Sequence, residues 1–337
     1  MIMDNNKKKR SGLKQQTIKA FLLDGKGGAI TIPLDQVKTA IAEKKLIWIH
    51  FDYTDTRNKK WMTCLGLDHH PLVVDRLFAE ESRPRTITLH EGLLLTLRNI
   101  NCNLGSKPED MISTRFWLTK SLILSTNHRK VSVMEQLENM LKEGEGPVNT
   151  SDFLKHMLVL MTEDVTDVVC ALDDGLDVLE EELQNAAVCQ KPIREKVSAL
   201  RRRIIMIKRY LLPQREAFVL LETKQLSWVN THDTIHLREI ADSTIRSLED
   251  LDAAKDRALV LYEECISQIQ EQLNSKIYLL SVVAIIFMPL TFITGLLGIN
   301  VGGIPGATAR YAFTIVCGIL ALIGCLQLIY FRLKKWI

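Results

Sequence analysis

Two stretches near the C-terminal end carry no Asp, Glu, Lys or Arg: residues 277–297, 21 in number, and residues 312–330, 19 in number. Each matches the roughly 20 apolar residues that cross a hydrocarbon core of ~30 Å. The rival explanation, a buried hairpin in a water-soluble fold, seldom needs two uninterrupted runs of that length. The flanks orient the pair. Lys276 precedes the first span, Arg332, Lys334 and Lys335 follow the second, and the loop 298–311 holds only Arg310. Positive residues stay on the cytoplasmic side, so both termini are predicted to be cytoplasmic and the loop to lie outside. Tyr278, Tyr311, Tyr330 and Trp336 fall where an aromatic belt would place them.

The 337 residues leave room for a sizeable domain ahead of the spans. Lys and Arg total 43 against 40 Asp and Glu, a net charge of +3, which gives no footing for a nucleic-acid partner. The one basic run, Lys7-Lys8-Lys9-Arg10, lies in a polar tail over residues 1–17, read as disordered and solvated, with lipid headgroups as the alternative contact. Residues 1–20 lack the apolar core of a secretory signal. Seven scattered cysteines (Cys64, Cys102, Cys170, Cys189, Cys265, Cys317, Cys325) form no CxxC pair and read as reduced thiols of a cytosolic compartment.

Apolar and β-branched runs at residues 18–32, 46–53, 86–89, 93–97, 115–118 and 122–125 predict strands, with helical patterns at 34–44 and 67–79 between them. Residues 18–150 are therefore expected to form an α/β cytoplasmic domain with a partly antiparallel sheet. Gly25-Lys26-Gly27-Gly28 lacks the phosphate-loop pattern and reads as a hairpin turn. Gly144-Glu145-Gly146-Pro147 punctuates the chain, and residues 151–276 read as a helical stalk ending in a long helix. Ser151 and Asp152 offer its N-cap, Pro192 and Pro213 mark a break or a first turn, and Leu172, Leu176, Leu179 and Leu183 supply a packing stripe. The remaining segments are a first transmembrane helix 277–297, an outer loop 298–311, a second transmembrane helix 312–330 and a tail 331–337.

Counting sevens back from Ile277 places Glu263, Asp256, Glu249 and Asp242 on one heptad position. Such a ladder could concentrate cations at a cytoplasmic mouth; a solvated acidic edge explains it equally well. An apolar stripe, Leu248, Leu251, Leu259, Tyr262, Ile266, Ile269 and Leu273, is expected to pack on protein. Asn274, Ser281, Thr291, Gly295 and Gly298 suit a narrow wet axis, or else a seam where helices pack closely. Pro289 cannot donate to the carbonyl of Ile285, so a kink or a free carbonyl is expected there. His232 and His236 stand four residues apart and could bind a metal, as could His69-His70 near Cys64; structural or solvated roles account for both. No catalytic constellation is present, and no enzyme activity is expected.

The run Phe287-Met288-Pro289-Leu290-Thr291-Phe292-Ile293-Thr294-Gly295-Leu296-Leu297-Gly298-Ile299-Asn300 resembles the pore helix and signature of the CorA superfamily of metal-ion transporters. The likeness extends to an α+β cytoplasmic domain followed by a long-helix stalk and two C-terminal transmembrane helices. It implies a CorA-like homopentamer in a bacterial inner membrane, with membrane lipid and a metal cation as partners and a pore along the five first spans. Asn300 would be the outer selectivity residue of the signature Gly298-Ile299-Asn300. Gly295, Thr291 and Met288 would line the path, and Ala284, Leu280, Ile277 and Asn274 the inner constriction. Heptad counting alone selects Ser281 in place of Leu280.

The signature reads Gly-Ile-Asn where the superfamily usually has Gly-Met-Asn, and Gly-Gly-Ile-Pro-Gly follows in place of acidic residues. Both features resemble the ZntB branch of zinc transporters. The resemblance thus implies Zn²⁺ as the transported ion, with Mg²⁺, Co²⁺, Ni²⁺ and Cd²⁺ as rivals, proton coupling as in zinc members, and no cofactor. Zinc prefers nitrogen and sulfur ligands, yet residues 274–300 contain no His or Cys, so the residues themselves do not select it. A membrane-anchored metal sensor or scaffold is the reading from a different class.

Overall fold

Runs of Val, Ile, Leu and aromatic residues bury both faces of a single seven-stranded sheet in the computed structural model, which describes residues 18–64, 71–80, 83–90, 92–186, 188–224, 226–299, 306 and 310–334. In chain order the elements are β1 (Ile18–Leu23), β2 (Ala29–Thr31), α1 (Leu34–Ala42), β3 (Ile47–Asp52), α2 (Thr56–Cys64), α3 (Pro71–Leu77), β4 (Arg85–Leu89), β5 (Gly92–Asn99), β6 (Ile112–Leu118), β7 (Leu122–Asn127), α4 (Ser132–Glu143), α5 (Thr150–Asn185), α6 (Lys191–Thr223), α7 (Thr231–Leu297) and α8 (Ala312–Leu333). The strands lie in the order β2-β1-β3-β7-β6-β5-β4, antiparallel except for the parallel pair β3 and β7.

One side of the sheet packs on α1 to α3 through Ile47, Ile49, Leu94, Leu124, Val37, Met62 and Leu77. The other packs on α4, α5 and the ends of α6 and α7, with Trp48 at its centre stacked on Phe21 and edge-on to Phe153. Helical residues after position 150 therefore share a core with the sheet. Contacts divide the chain into two compact units, one of Met1–Gln184 with Lys191–Tyr262 and one of Asn185–Gln190 with Glu263–Ile337.

The glycine run is a hairpin turn, as its composition predicts. The Asp24 carboxylate accepts from the N–H groups of Lys26 (2.7 Å) and Gly28 (3.0 Å), which also holds its pKa below the ordinary value. Gly27 has φ +104°, and a Cβ there would lie 2.5 Å from the Gly144 carbonyl oxygen, so that position admits no side chain.

Other expectations need correction. α2 was not anticipated because its residues are largely polar; Met62 alone supplies a deep apolar anchor, and Asn58 holds the helix to the Asp52 carbonyl (2.7 Å). α4 was missed although Val133, Leu137 and Leu141 recur every four residues. α5 starts at Thr150, one residue before the expected cap, and Asn149 accepts the Asp152 N–H at 2.9 Å. Pro192 occupies the first turn of α6, whereas Pro213 lies inside a helix that continues past it, tied to the sheet by Arg98 N–H to Gln214 Oε1 (2.7 Å) and Thr86 Oγ1 to the Ala217 carbonyl (2.6 Å). Cys189 and Cys265, expected to be reduced, are joined as a disulfide across 76 residues, while Cys102, Cys170, Cys317 and Cys325 are free. Cys64, as a side chain, and His69-His70 lie outside the described residues, as do the basic tail and most of the outer loop.

Candidate ion pathway

α7 is one continuous helix of 67 residues. Asn230 opens it by accepting the Asp233 N–H at 2.8 Å. Buried positions then recur at Thr244, Leu251, Ala258 and Cys265, seven apart, the spacing of coiled helix packing. The packed line runs through Ala254, Ala258 and Leu261 rather than along the predicted Leu259, Tyr262, Ile266, Ile269 and Leu273, which are partly buried or exposed. Small residues let neighbouring backbones approach, and a pattern search for large apolar residues overlooks them.

Asp242, Glu249, Asp256 and Glu263 are all exposed. Asp256 pairs with Lys255 at 3.2 Å, and the other three have no basic partner within 4 Å among the described residues. Beside them Arg257 reaches three carboxylates of α5, Asp177 (2.5 Å), Asp173 (2.6 Å) and Glu180 (3.0 Å), and hydrogen bonding, first from Asp177, raises its pKa further. The rings of His232 and His236 lie edge to face with centroids 4.8 Å apart, and His236 Nδ1 is 3.5 Å from Glu239. No group of three or more His, Cys, Asp or Glu is placed to hold a metal among the described residues.

In the second unit, α7 and α8 are long and apolar enough to cross a membrane, and almost none of the residues in their most apolar stretches is buried within the chain. Val282 is the exception, 4% exposed, and Ile286, Pro289, Leu290 and Ile293 are partly covered. On a helix turning about 100° per residue these five fall within an arc of about 100°. Ile277, Leu280, Ala284, Met288, Thr291, Gly295 and Gly298 project from the opposite side, and every one is exposed, Leu280 by 69% and Met288 by 70%. Asn274 is exposed one turn further in. Thus the residues assigned to the path share the face turned away from the covered side of the helix.

Details of that face separate its members. Ser281 donates its hydroxyl to the Ile277 carbonyl (2.9 Å), whereas Leu280 leaves its whole side chain outward. Thr294 donates to the Thr291 carbonyl (3.0 Å), and the Thr291 hydroxyl has no partner among the described residues. Nothing lies within 4 Å of a Cβ placed on Gly295. The helix closes with Gly298 N–H on the carbonyl of Thr294 (2.9 Å). Ile299 is exposed beyond it, and Asn300 lies outside the described residues.

Between the spans, Gln327 Nε2 of α8 lies 3.5 Å from the Ile285 carbonyl oxygen, the group that Pro289 leaves without its usual donor. Sequence reasoning had named the vacancy but not the residue that meets it. The signal was present, because Gln327 is the one side-chain amide within residues 312–330.

Residues 43–335 match the family model described as CorA-like Mg2+ transporter protein. The chain is 35% identical over 319 residues to the zinc transport protein ZntB of Yersinia pseudotuberculosis, covering 94% of this chain and 95% of the relative. Its fold is similar to the structure of the full-length CmaX protein, with TM-score 0.78, 31% identity and coverage of 94% and 97% of the two chains. It is also similar to the complete structure of the CorA magnesium transporter from Methanocaldococcus jannaschii, with TM-score 0.77, 19% identity and coverage of 96% and 100%. Matched across both the soluble elements and the two spans, the chain belongs to the CorA-like transporter family.

Proposed function

We propose that this chain carries divalent metal cations, zinc foremost, across a bacterial inner membrane through a pore enclosed by five copies. The observation that carries the reading is that Ile277, Leu280, Ala284, Met288, Thr291, Gly295 and Gly298 share the side of α7 opposite its covered residues. Thr291, Gly295 and Gly298 gain little from lipid but suit closely packed helices around a wet axis. One two-span chain cannot enclose such an axis, so a closed ring of copies is required. Zinc is favoured by identity to ZntB proteins along nearly the whole chain. Since residues 274–300 offer no nitrogen or sulfur ligand of His or Cys, the ion would pass with much of its water shell.

In this reading the amides of Asn300 hold the hydrated ion at the outer mouth, and both termini face the cytoplasm. Leu280, rather than Ser281, forms the inner constriction with Ile277, because the Ser281 hydroxyl is already engaged by its own helix. Apolar rings at those levels would gate by dewetting. The carboxylates of Asp242, Glu249 and Glu263, which have no basic partner among the described residues, would raise the local cation concentration.

Flux into liposomes tests the proposal, comparing Zn²⁺ with Mg²⁺ and Co²⁺, with and without a pH gradient. The expected result is Zn²⁺ entry accelerated by an inward proton gradient and lost by at least about ten-fold in Asn300→Ala, in an oligomer that still assembles. Wild-type flux in a correctly assembled Asn300→Ala protein overturns the role of that residue. Mg²⁺ entry indifferent to pH would instead favour a channel of the magnesium type.

A further inference from the structure

We propose that Gln327 is a positioning residue of the ion pathway: its side-chain amide supplies, from the second span, the hydrogen bond that Pro289 takes from the pore-lining helix. Three observations meet at one place. Pro289 lies inside α7 and has no N–H, so the carbonyl four residues earlier, on Ile285, loses its helical donor. In hydrocarbon no water is at hand to replace it, and an unsatisfied carbonyl is costly. Gln327 Nε2 sits 3.5 Å from that oxygen. Only the amino end of an amide can donate to a carbonyl, which fixes the sense of the contact.

The amide is itself expensive in a span, and the structure offers it little else. Gln327 Oε1 is buried without a partner among the described residues, so the bond to Ile285 is what offsets the cost of burying the group. The tied carbonyl is one residue from Ala284 and three from Met288 on the exposed stripe. Gln327 thereby holds the α7 turn that aims those side chains, without touching the ion.

A double-mutant cycle tests this in the full-length protein. Gln327→Met keeps the length of the side chain and removes the donor; Pro289→Ala restores a main-chain donor for the Ile285 carbonyl. Gln327→Met alone is expected to lower maximal Zn²⁺ flux in liposomes about five-fold with the half-saturating Zn²⁺ concentration unchanged. It should also lower the thermal midpoint of the purified oligomer. In the Pro289→Ala background the same substitution should change both readings by less than about half as much.

Equal losses in both backgrounds would mean that Gln327 only packs, and no loss in either would mean that the bond is not used; each overturns the proposal. If Gln327→Met alone does not assemble, assembly of the double variant supports the proposal and its failure overturns it. The effect on flux rests on the transport reading above. The thermal midpoints do not depend on the ion carried, so failure of that reading and failure of this one are distinguishable.

Discussion

Leu154 and Leu322 are the same side chain on two apolar helix faces, yet Leu154 is fully buried at 0% exposure and Leu322 is 61% exposed. The contrast holds across the two units. In the first, Trp48, Phe153, Leu154 and Phe218 are covered by the chain itself, and the sheet is shielded on both faces. In the second, α7 and α8 carry their most apolar sequence outward and bury little beyond Cys265, Val282 and Phe331. Apolar burial drives folding in both cases, at about 25 cal/mol per Å², but what does the burying differs. One unit supplies its own cover; the other leaves its apolar surface to be covered by a membrane, and in water would expose a large aggregation-prone patch.

The largest effect should come from setting those two leucines against each other. Leu154→Ala is expected to cost about 2–5 kcal/mol, because the surrounding core closes only partly around the missing atoms. Leu322→Ala should cost less than about 1 kcal/mol where lipid fills the space it leaves. Denaturation of the purified protein in mild detergent reads both. A Leu322→Ala loss as large as that of Leu154→Ala would show that this face of α8 is covered by protein.

Acid should reach the first unit by a route absent from the second. Burial, and then the charge of Lys19, push His50 down to about 4 from the ordinary 6.5. Trp48 Nε1 donates to Ser125 Oγ (2.7 Å), and His50 Nδ1 lies 2.8 Å from the same oxygen, a contact that a neutral ring can make. Between those two values the unfolded chain takes up a proton that the folded one refuses, so stability is full above about 6.5 and falls as pH drops toward 4. His50→Gln should flatten the thermal midpoint over that window. An unchanged slope would assign the acid sensitivity to other groups.

The smallest effect is expected at Arg257. Three carboxylates surround it, but its side chain is a third exposed and solvent screens the network. Arg257→Ala should cost less than about 1 kcal/mol, and less still in high salt. A loss of several kcal/mol would place this pair of helices in a drier setting than the single chain shows.

Much of the architecture was legible because it rests on local rules. A run of about 20 residues without charge must span or be buried, whatever surrounds it. Gly25 to Gly28 could hardly be anything but a turn, since Gly27 adopts a backbone conformation that disfavours a side chain. The strand runs were legible for the same reason, as their alternating or continuous apolar residues name the faces they cover. α2 was not, because a polar helix held by one methionine and an asparagine announces itself only through the partners it finds.

The pathway divides along the same line. The sequence by itself determined that residues 277–298 carry two kinds of face, since helical spacing alone separates Val282, Ile286 and Ile293 from Ala284, Met288 and Thr291. Only the tertiary structure decided which face is covered. It also decided that the stalk packs through alanines, that Cys189 meets Cys265 and that Gln327 meets Ile285. The physical reason is range. Hydropathy, turn chemistry and helical period act over a few neighbouring residues, whereas a bond between groups 42 or 76 positions apart depends on how whole helices come to lie side by side.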